Sequence, residues 1–411
     1  EESVPRGRQS GRLLRLPLMY LPRTIIHGGG SIRRLGALLG DMGLKRPLVV
    51  ADKFLASPQS GAVDKVCDSL SASGAPFEVF TDTIPDPTTE SVERCVDALA
   101  AGNFDSIVAL GGGSPMDTAK AAAVLFKQGG RMRDYKAPFQ NDGPTLPMIA
   151  IPTTAGTGSE ATKFTIVTDS ETQEKMLCVG VAYLPLAAIL DYELTLTKPF
   201  RLTADAGIDA ICHAVEAYVS AKHNPLADGF AASAMTKLGG ALYTACHSPS
   251  DAAAREAMLL GSCQAGMAFS NASVTLVHGM SRPLGALFHI PHGMCNAMLL
   301  PRCTSFSTHG AVTRYAEASR LLGLCADSAT DDDAAGGLAR ALHKVTSDLE
   351  VPTLQGFGVD EATFRKAVPR MATAALASGS PGNNPVVPSQ AQIELLFHEL
   401  WDLECRASAA G

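Results

Sequence analysis

The run LVHGMSRPLGALFHIPHGM, residues 276–294, sets His278, His289, His292 and Arg282 among residues that are otherwise mostly apolar or small. Imidazoles in such company are either hydrogen-bonded core residues or ligands of a metal ion. A second stretch, GIDAICHAVEAY, places Asp209 and His213 four residues apart on a strongly helical pattern. Residues at that spacing share a helix face, so both side chains can grip one ion. Pro283 and Pro291 argue against a single straight helix from 278 to 292. His278 and His292 are therefore expected on different elements that converge in space. One aspartate and three histidines around a divalent ion leave a net charge of about +1, which keeps the ion a useful Lewis acid. Fe²⁺ and Zn²⁺ both accept such ligands. Spacing alone leaves the core reading and the metal reading open.

A different chemistry is written in IVALGGGSPMDTAKAAA, where three glycines follow an apolar strand and lead through a Ser-Pro step into a helix. Ser114 is expected to cap that helix and Pro115 to open it, leaving free backbone N–H groups as an anion site. The spacing is neither GxGxxG nor a P-loop, and a ligand-free tight turn is the competing reading. IPTTAGTGSEAT repeats the logic one strand later, with hydroxyls at Thr153, Thr154, Thr157 and Ser159. Two donor-rich loops at the carboxyl ends of neighbouring parallel strands point to one crevice, where open α/β sheets bind ligands. Asp52 ends an earlier strand; its carboxylate can accept from ribose hydroxyls and repel a 2′-phosphate, which favours NAD over NADP.

The elements that must hold these residues follow from patterning. RPLVVAD (46–52), PFEVFTD (76–82), SIVALGGGS (106–114) and PMIAIPTT (147–154) read as buried strands ending in turn residues, with amphipathic stretches between the first three. The alternation predicts a mostly parallel sheet covered on both faces. Beyond about residue 195, long Ala- and Leu-rich segments with helical spacing take over. The reading is an α/β unit built on that parallel sheet over 1–194 and an all-helical unit over 195–411. Pro199 interrupts near the boundary and Thr203 is expected to cap the helix that follows.

At 411 residues the chain exceeds what one core usually supports, and 46% hydrophobic against 18% charged residues describes a compact globular protein. A net charge of −7 with no basic face argues against a nucleic-acid partner. The ten cysteines show no CxxC and no regular spacing, which fits a reducing compartment. No apolar run approaches the roughly 18–20 residues needed to span a bilayer. The expectation is a cytoplasmic protein without a membrane partner. The basic opening, with Arg6, Arg8, Arg12, Arg15 and Arg23, is either an exposed tail or the remnant of an organelle-targeting segment.

GGGSPMDTAK, IPTTAGTGSEAT, GIDAICHAVEAY and VHGMSRPLGALFHIPHGMCNAMLLP, in this order, together resemble the iron-containing (group III) alcohol dehydrogenases. IIHGGGSIRRLGALL extends the resemblance towards the start, with His27 and Gly28 where the family more often has Phe-Gly. The resemblance implies a Rossmann-like parallel-sheet unit at the N-terminus, a helical unit at the C-terminus, a catalytic cleft between them and a homodimer. It implies metal ligation by Asp209, His213, His278 and His292, and a pyrophosphate on Gly112, Gly113 and Ser114. It further implies Asp117 beside the cofactor, nucleotide contacts from Thr153, Thr154 and Thr157, Lys175 near a ribose, and Asp52 at the adenosine ribose. The reaction it implies is reversible hydride transfer between NAD and a small alcohol.

One position departs from that pattern. Many members carry a further histidine four residues after the third ligand, often assigned to a proton relay or the substrate pocket, and this chain has Arg282. A guanidinium stays charged and cannot shuttle protons. Three readings follow: water and the cofactor ribose carry the proton; His289 substitutes; or Arg282 grips an anionic group of the substrate, unless a structural carboxylate claims it. Other activities on this architecture are a hydroxyacid–oxoacid transhydrogenase with tightly held NAD and a dehydroquinate synthase-type lyase, whose pattern SPMDTAK fits poorly. A binding protein that has lost catalysis is the reading from a different class.

Overall fold

The computed structural model describes residues 18–409. The strands are β1 (Thr24–His27), β2 (Pro47–Val50), β3 (Glu78–Phe80), β4 (Ser106–Gly111), β5 (Met148–Pro152), β6 (Phe164–Thr168), β7 (Lys175–Val179) and β8 (Ala187–Leu190), of which β2 to β5 fall in the four apolar runs. Six of them form one parallel sheet in the order β1-β8-β5-β4-β2-β3, while β6 and β7 pair as an antiparallel hairpin. The strand order reverses direction between β2 and β4. A crevice opens at such a reversal, outside the carboxyl ends of the strands. Asp52 follows β2 and the glycine loop follows β4, so the two flank that reversal.

Helices α1 (Leu35–Asp41), α2 (Ala62–Ala72), α3 (Thr89–Ala101) and α4 (Gly113–Gln128) cover the sheet. Strand alternation sorts the core between its faces. Ile107 and Ala109 of β4 pack with Val92, Leu99 and Met116, whereas Val108 and Leu110 pack with Leu35, Val66 and Leu70. Both faces are thus buried, as a doubly covered parallel sheet requires.

From Phe200 onward the described chain is helical: α5 (Phe200–Val219), α6 (Pro225–His247), α7 (Ala252–Ala272), α8 (Leu276–Phe288), α9 (His292–Ser307), α10 (Val312–Leu321), α11 (Asp331–Asp348), α12 (Leu354–Phe357), α13 (Glu361–Ala377) and α14 (Gln390–Ala409). Helix α5 is buried almost all round. Ile208, Ile211 and Val215 join the main apolar core, while Asp209, His213 and Glu216 are buried on the same helix. Buried polar groups survive only with partners, so this helix has to carry a site or a network.

Three local expectations need correction. Gly112 in extended conformation precedes α4, so Ser114 is not its cap and Pro115 is its third residue; the glycine lets the helix start at the end of the loop itself. Pro199 precedes α5, and Thr203 lies inside the helix, where its hydroxyl accepts from Arg255 at 3.1 Å. Pro199 has an extended ψ of 161° and can hold the entry to the helix without a side-chain cap. Pro283 does not break α8, which continues to Phe288; the break falls at His289, in left-handed conformation, and Pro291.

Among the described residues no helix is long and apolar enough to cross a membrane. Of the basic opening, Arg6, Arg8, Arg12 and Arg15 lie outside the described residues, and Arg23 donates its backbone N–H to Leu186 at 2.9 Å beside β1.

Candidate metal centre and nucleotide crevice

Helix α5 presents Asp209 and His213 one turn apart, α8 presents His278, and α9 begins at His292. Their four ligand atoms lie within 4.8 Å of one another. Asp209 Oδ1 is 3.8, 3.7 and 3.9 Å from the Nε2 atoms of His213, His278 and His292. The expectation from the two prolines holds in part: the histidines come from different helices, but only the break before Pro291 separates them.

Hydrogen bonds behind the rings fix which nitrogen faces the centre. His213 Nδ1 meets the Gly156 carbonyl at 3.3 Å, and a carbonyl can only accept, so the proton is on Nδ1. His278 Nδ1 meets the Glu216 carboxylate. Glu216 Oε1 also accepts from Thr275 Oγ1 at 2.7 Å and from the Val277 N–H at 2.8 Å. Both Nε2 atoms are left with lone pairs, and they face each other at 2.9 Å. Two lone pairs repel at that distance; a cation between them removes the conflict. The donor set therefore fits a divalent ion, and the carboxylate–histidine pairing behind it is what orients and strengthens a metal-ligating imidazole.

Burial sets the charge states to match. Burial is the main cause lowering His213 to about 4 and holding His278 well below the ordinary histidine value, so both are neutral near pH 7; His292 is lowered in the same direction by its buried inner side, against the pull of Asp209. Burial pushes Asp209 up to about 6, against His292 and the Asn296 amide, which pull it down. The side chains of Asp209, His213 and His278 are no more than 5% exposed, whereas that of His292 is 41% exposed. The centre is closed on three sides and open on the fourth.

Sequence reading missed two neighbours of this cluster. Glu216 lies seven residues after Asp209, on the same face of α5. Asn296 lies four after His292 and sets its Nδ2 2.6 Å from Asp209 Oδ1, 3.1 Å from His278 Nε2 and 3.2 Å from His292 Nε2. Helical spacing from a ligand was the signal for both. His289 is not in the cluster; it is exposed at the turn that returns the chain into α9.

The glycine loop and the threonine loop lie against each other, and the threonine loop reaches the cluster through Gly156. A methyl group added at Gly112 would come 3.1 Å from Thr154 Oγ1, and one at Gly113 would come 3.3 Å from Thr157 Cγ2. The glycine loop and the threonine loop therefore face each other across a gap that only glycine leaves open, above the first turn of α4. Such a cradle of free N–H groups fits a pyrophosphate. Thr153 is buried beneath it, its N–H donating to Gly111 at 3.0 Å. Asp117 lines the side of α4, half-buried, its carboxyl raised by burial against the pull of Lys120. Lys175 opens β7 and pairs at 3.0 Å with Asp86, whose N–H reaches Ser114 Oγ at 3.3 Å. Asp86 carried no sequence signal, because only the fold brings its loop to the glycine turn. Asp52 spends Oδ1 on the Leu55 N–H at 2.8 Å and keeps its other oxygen free of that bond.

The threonine loop also touches the helical region. A methyl group added at Gly156 would meet Ala206 of α5 at 2.7 Å, and one at Gly158 would meet Gly266 of α7 at 2.6 Å. Through the Gly156 carbonyl, the loop that borders the crevice also orients a ligand of the metal centre.

Comparison with known proteins places these features in context. The family model of the iron-containing alcohol dehydrogenases matches residues 22–192, and that of the C-terminal region of the Fe-containing alcohol dehydrogenase family matches residues 203–401. An NAD-dependent methanol dehydrogenase of Bacillus methanolicus is 35% identical over 334 residues, 81% of this chain and 87% of its own length. The crystal structure of a 1,3-propanediol oxidoreductase superposes with a TM-score of 0.90 at 33% identity, covering 94% of this chain and all of its own. A sulfoacetaldehyde reductase from Bifidobacterium kashiwanohense, solved in complex with NAD⁺, gives a TM-score of 0.81 at 30% identity, covering 94% and 98%.

Proposed function

The chain belongs to the iron-containing alcohol dehydrogenase family of NAD(P)-linked alcohol and aldehyde oxidoreductases, and from that premise we propose how its own residues divide the work. Asp209, His213, His278 and His292 hold one divalent ion, Fe²⁺ or Zn²⁺. The observation that carries this reading is the pair of imidazole lone pairs facing each other at 2.9 Å, each fixed by a hydrogen bond behind its ring. When bound, the ion supplies Lewis acidity at a substrate oxygen and the nicotinamide exchanges the hydride.

The chain positions and excludes. The backbone of Gly112, Gly113 and Ser114 holds the pyrophosphate at the start of α4, and Thr153, Thr154 and Thr157 supply hydrogen bonds from the opposite loop. Lys175 and Asp117 border the ribose and nicotinamide half. Asp52 takes the adenosine ribose, and its charge repels a 2′-phosphate, which favours NAD over NADP. His292, the exposed ligand, marks the side from which substrate enters. With Arg282 permanently charged and His289 outside the cluster, the released proton leaves to solvent on that open side. Residues 1–194 form the nucleotide unit and 195–411 the metal unit of a cytoplasmic homodimer.

The test is a panel of small alcohols and aldehydes followed by NADH absorbance, using protein stripped of metal and reloaded with Fe²⁺ or Zn²⁺. Activity is expected only after reloading. His278→Ala and His292→Ala should lose metal and turnover together while keeping their far-UV circular dichroism. Full turnover by the metal-free protein would refute the four-ligand assignment.

A further inference from the structure

Arg282 follows His278 by one turn of α8, so its side chain leaves the same helix face as a metal ligand. Its surroundings offer it little. Nη1 donates to Ser380 Oγ at 3.1 Å, and Nε is buried with no hydrogen-bond partner. Among the described residues it forms no ion pair, so no structural carboxylate claims it. Glu216, the carboxylate whose charge supports the guanidinium, has both oxygens committed, to Thr275 and Val277 on one side and His278 on the other.

The side chain nevertheless keeps part of its surface open to solvent, although the depth of its surroundings penalises its charge. A group that is deep yet still reached by solvent lines a crevice. One turn beyond His278 on the same helix face, it stands beside the metal-ligand cluster. A five-donor guanidinium held by a single neutral hydroxyl is costly unless something anionic completes it, and its planar fork matches carboxylate, sulfonate and phosphonate oxygens.

We propose that Arg282, steadied by Ser380, is the specificity residue of this enzyme and selects short substrates with an anionic group at the end remote from the reacting carbon. This rests on the dehydrogenase reading above.

Two measurements separate this proposal from the reading beneath it. The first compares 4-oxobutanoate with butanal as substrates of metal-loaded enzyme and NADH. The ratio of their kcat/KM values should favour the anion and fall about 10- to 100-fold in Arg282→Gln, mostly through KM, with partial recovery in Arg282→Lys. The second needs no turnover: calorimetric titration of the NAD⁺-loaded protein with 3-hydroxypropanesulfonate and with 1-butanol. A sulfonate is a weak ligand for the metal, so its binding should depend on Arg282, and the sulfonate's advantage should disappear in the Gln variant. An unchanged substrate ratio together with unchanged sulfonate binding would overturn the proposal, as would a loss of NADH affinity that accounted for the whole effect and moved Arg282 to the cofactor. Arg282-dependent sulfonate binding without hydride transfer to any substrate would instead remove the dehydrogenase reading and leave the anion site standing.

Discussion

Glu216 shows how much of a metal centre sits behind its ligands. Its carboxylate lends His278 negative charge and fixes the ring, so the buried set around a divalent ion approaches neutrality rather than the +1 that four ligands alone imply. Glu216→Gln keeps the shape but removes that charge, and metal affinity measured by chelator competition should fall about 10- to 100-fold. Asp209 governs the pH response. Because burial raises its carboxyl to about 6, the metal-free site offers a charged ligand only above that pH, while His213 is already neutral from about 4 upward. Metal affinity should therefore be full near neutrality and decline as pH falls through about 6, read as metal retained after dialysis at pH 5 and at pH 7.5; equal retention at both would contradict this order of protonation. In the metal-free protein the raised carboxyl acts in the opposite sense on folding. Stability falls as pH rises from the ordinary carboxyl value of about 4 towards about 6, since the buried charge then forms without its ion.

At the scale of elements, the threonine loop after β5 is the joint between the two chemistries. Its Gly156 lies against Ala206 of α5 and aims its carbonyl at His213. Gly156→Ala would place a methyl group 2.7 Å from the Ala206 side chain, so the loop must withdraw. Metal affinity and NADH affinity should then fall together, by roughly tenfold or more for the metal. A loss of one without the other would show that the loop does not link them. The natural control is Gly229 of α6, where an added methyl meets nothing within 4 Å. Gly229→Ala should leave both affinities alone and stabilise the protein by about 0.5–1 kcal/mol in urea unfolding.

For the whole molecule, an ion held by Asp209, His213, His278 and His292 would tie α5, α8 and α9 together, and ligand binding to the native state alone adds RT ln(1 + [L]/Kd). A hundredfold excess over Kd is worth about 2.7 kcal/mol, and with an unfolding entropy of about 2.1 cal/mol/K per residue over 411 residues chelation should lower the thermal midpoint by roughly 3 °C in scanning calorimetry. The sheet was legible before the fold because its central strands are fully buried and read as continuous apolar runs bounded by turn residues. β1 and β8 were not, and β8 begins with two alanines that suit a helix equally well. Asp209 and His213 were readable as a pair because helical periodicity fixes which residues share a face. Local sequence also marked the glycine and threonine loops, since both are short-range turn chemistry. No local rule could show that α8 and α9 carry His278 and His292 to the same cluster, that the Asp86 loop closes on the glycine turn, or that Arg282 reaches Ser380 and, among the described residues, no carboxylate. Those are contacts between residues distant in the chain, set by how buried helices and strands pack. Periodicity determined the faces; packing decided which faces meet.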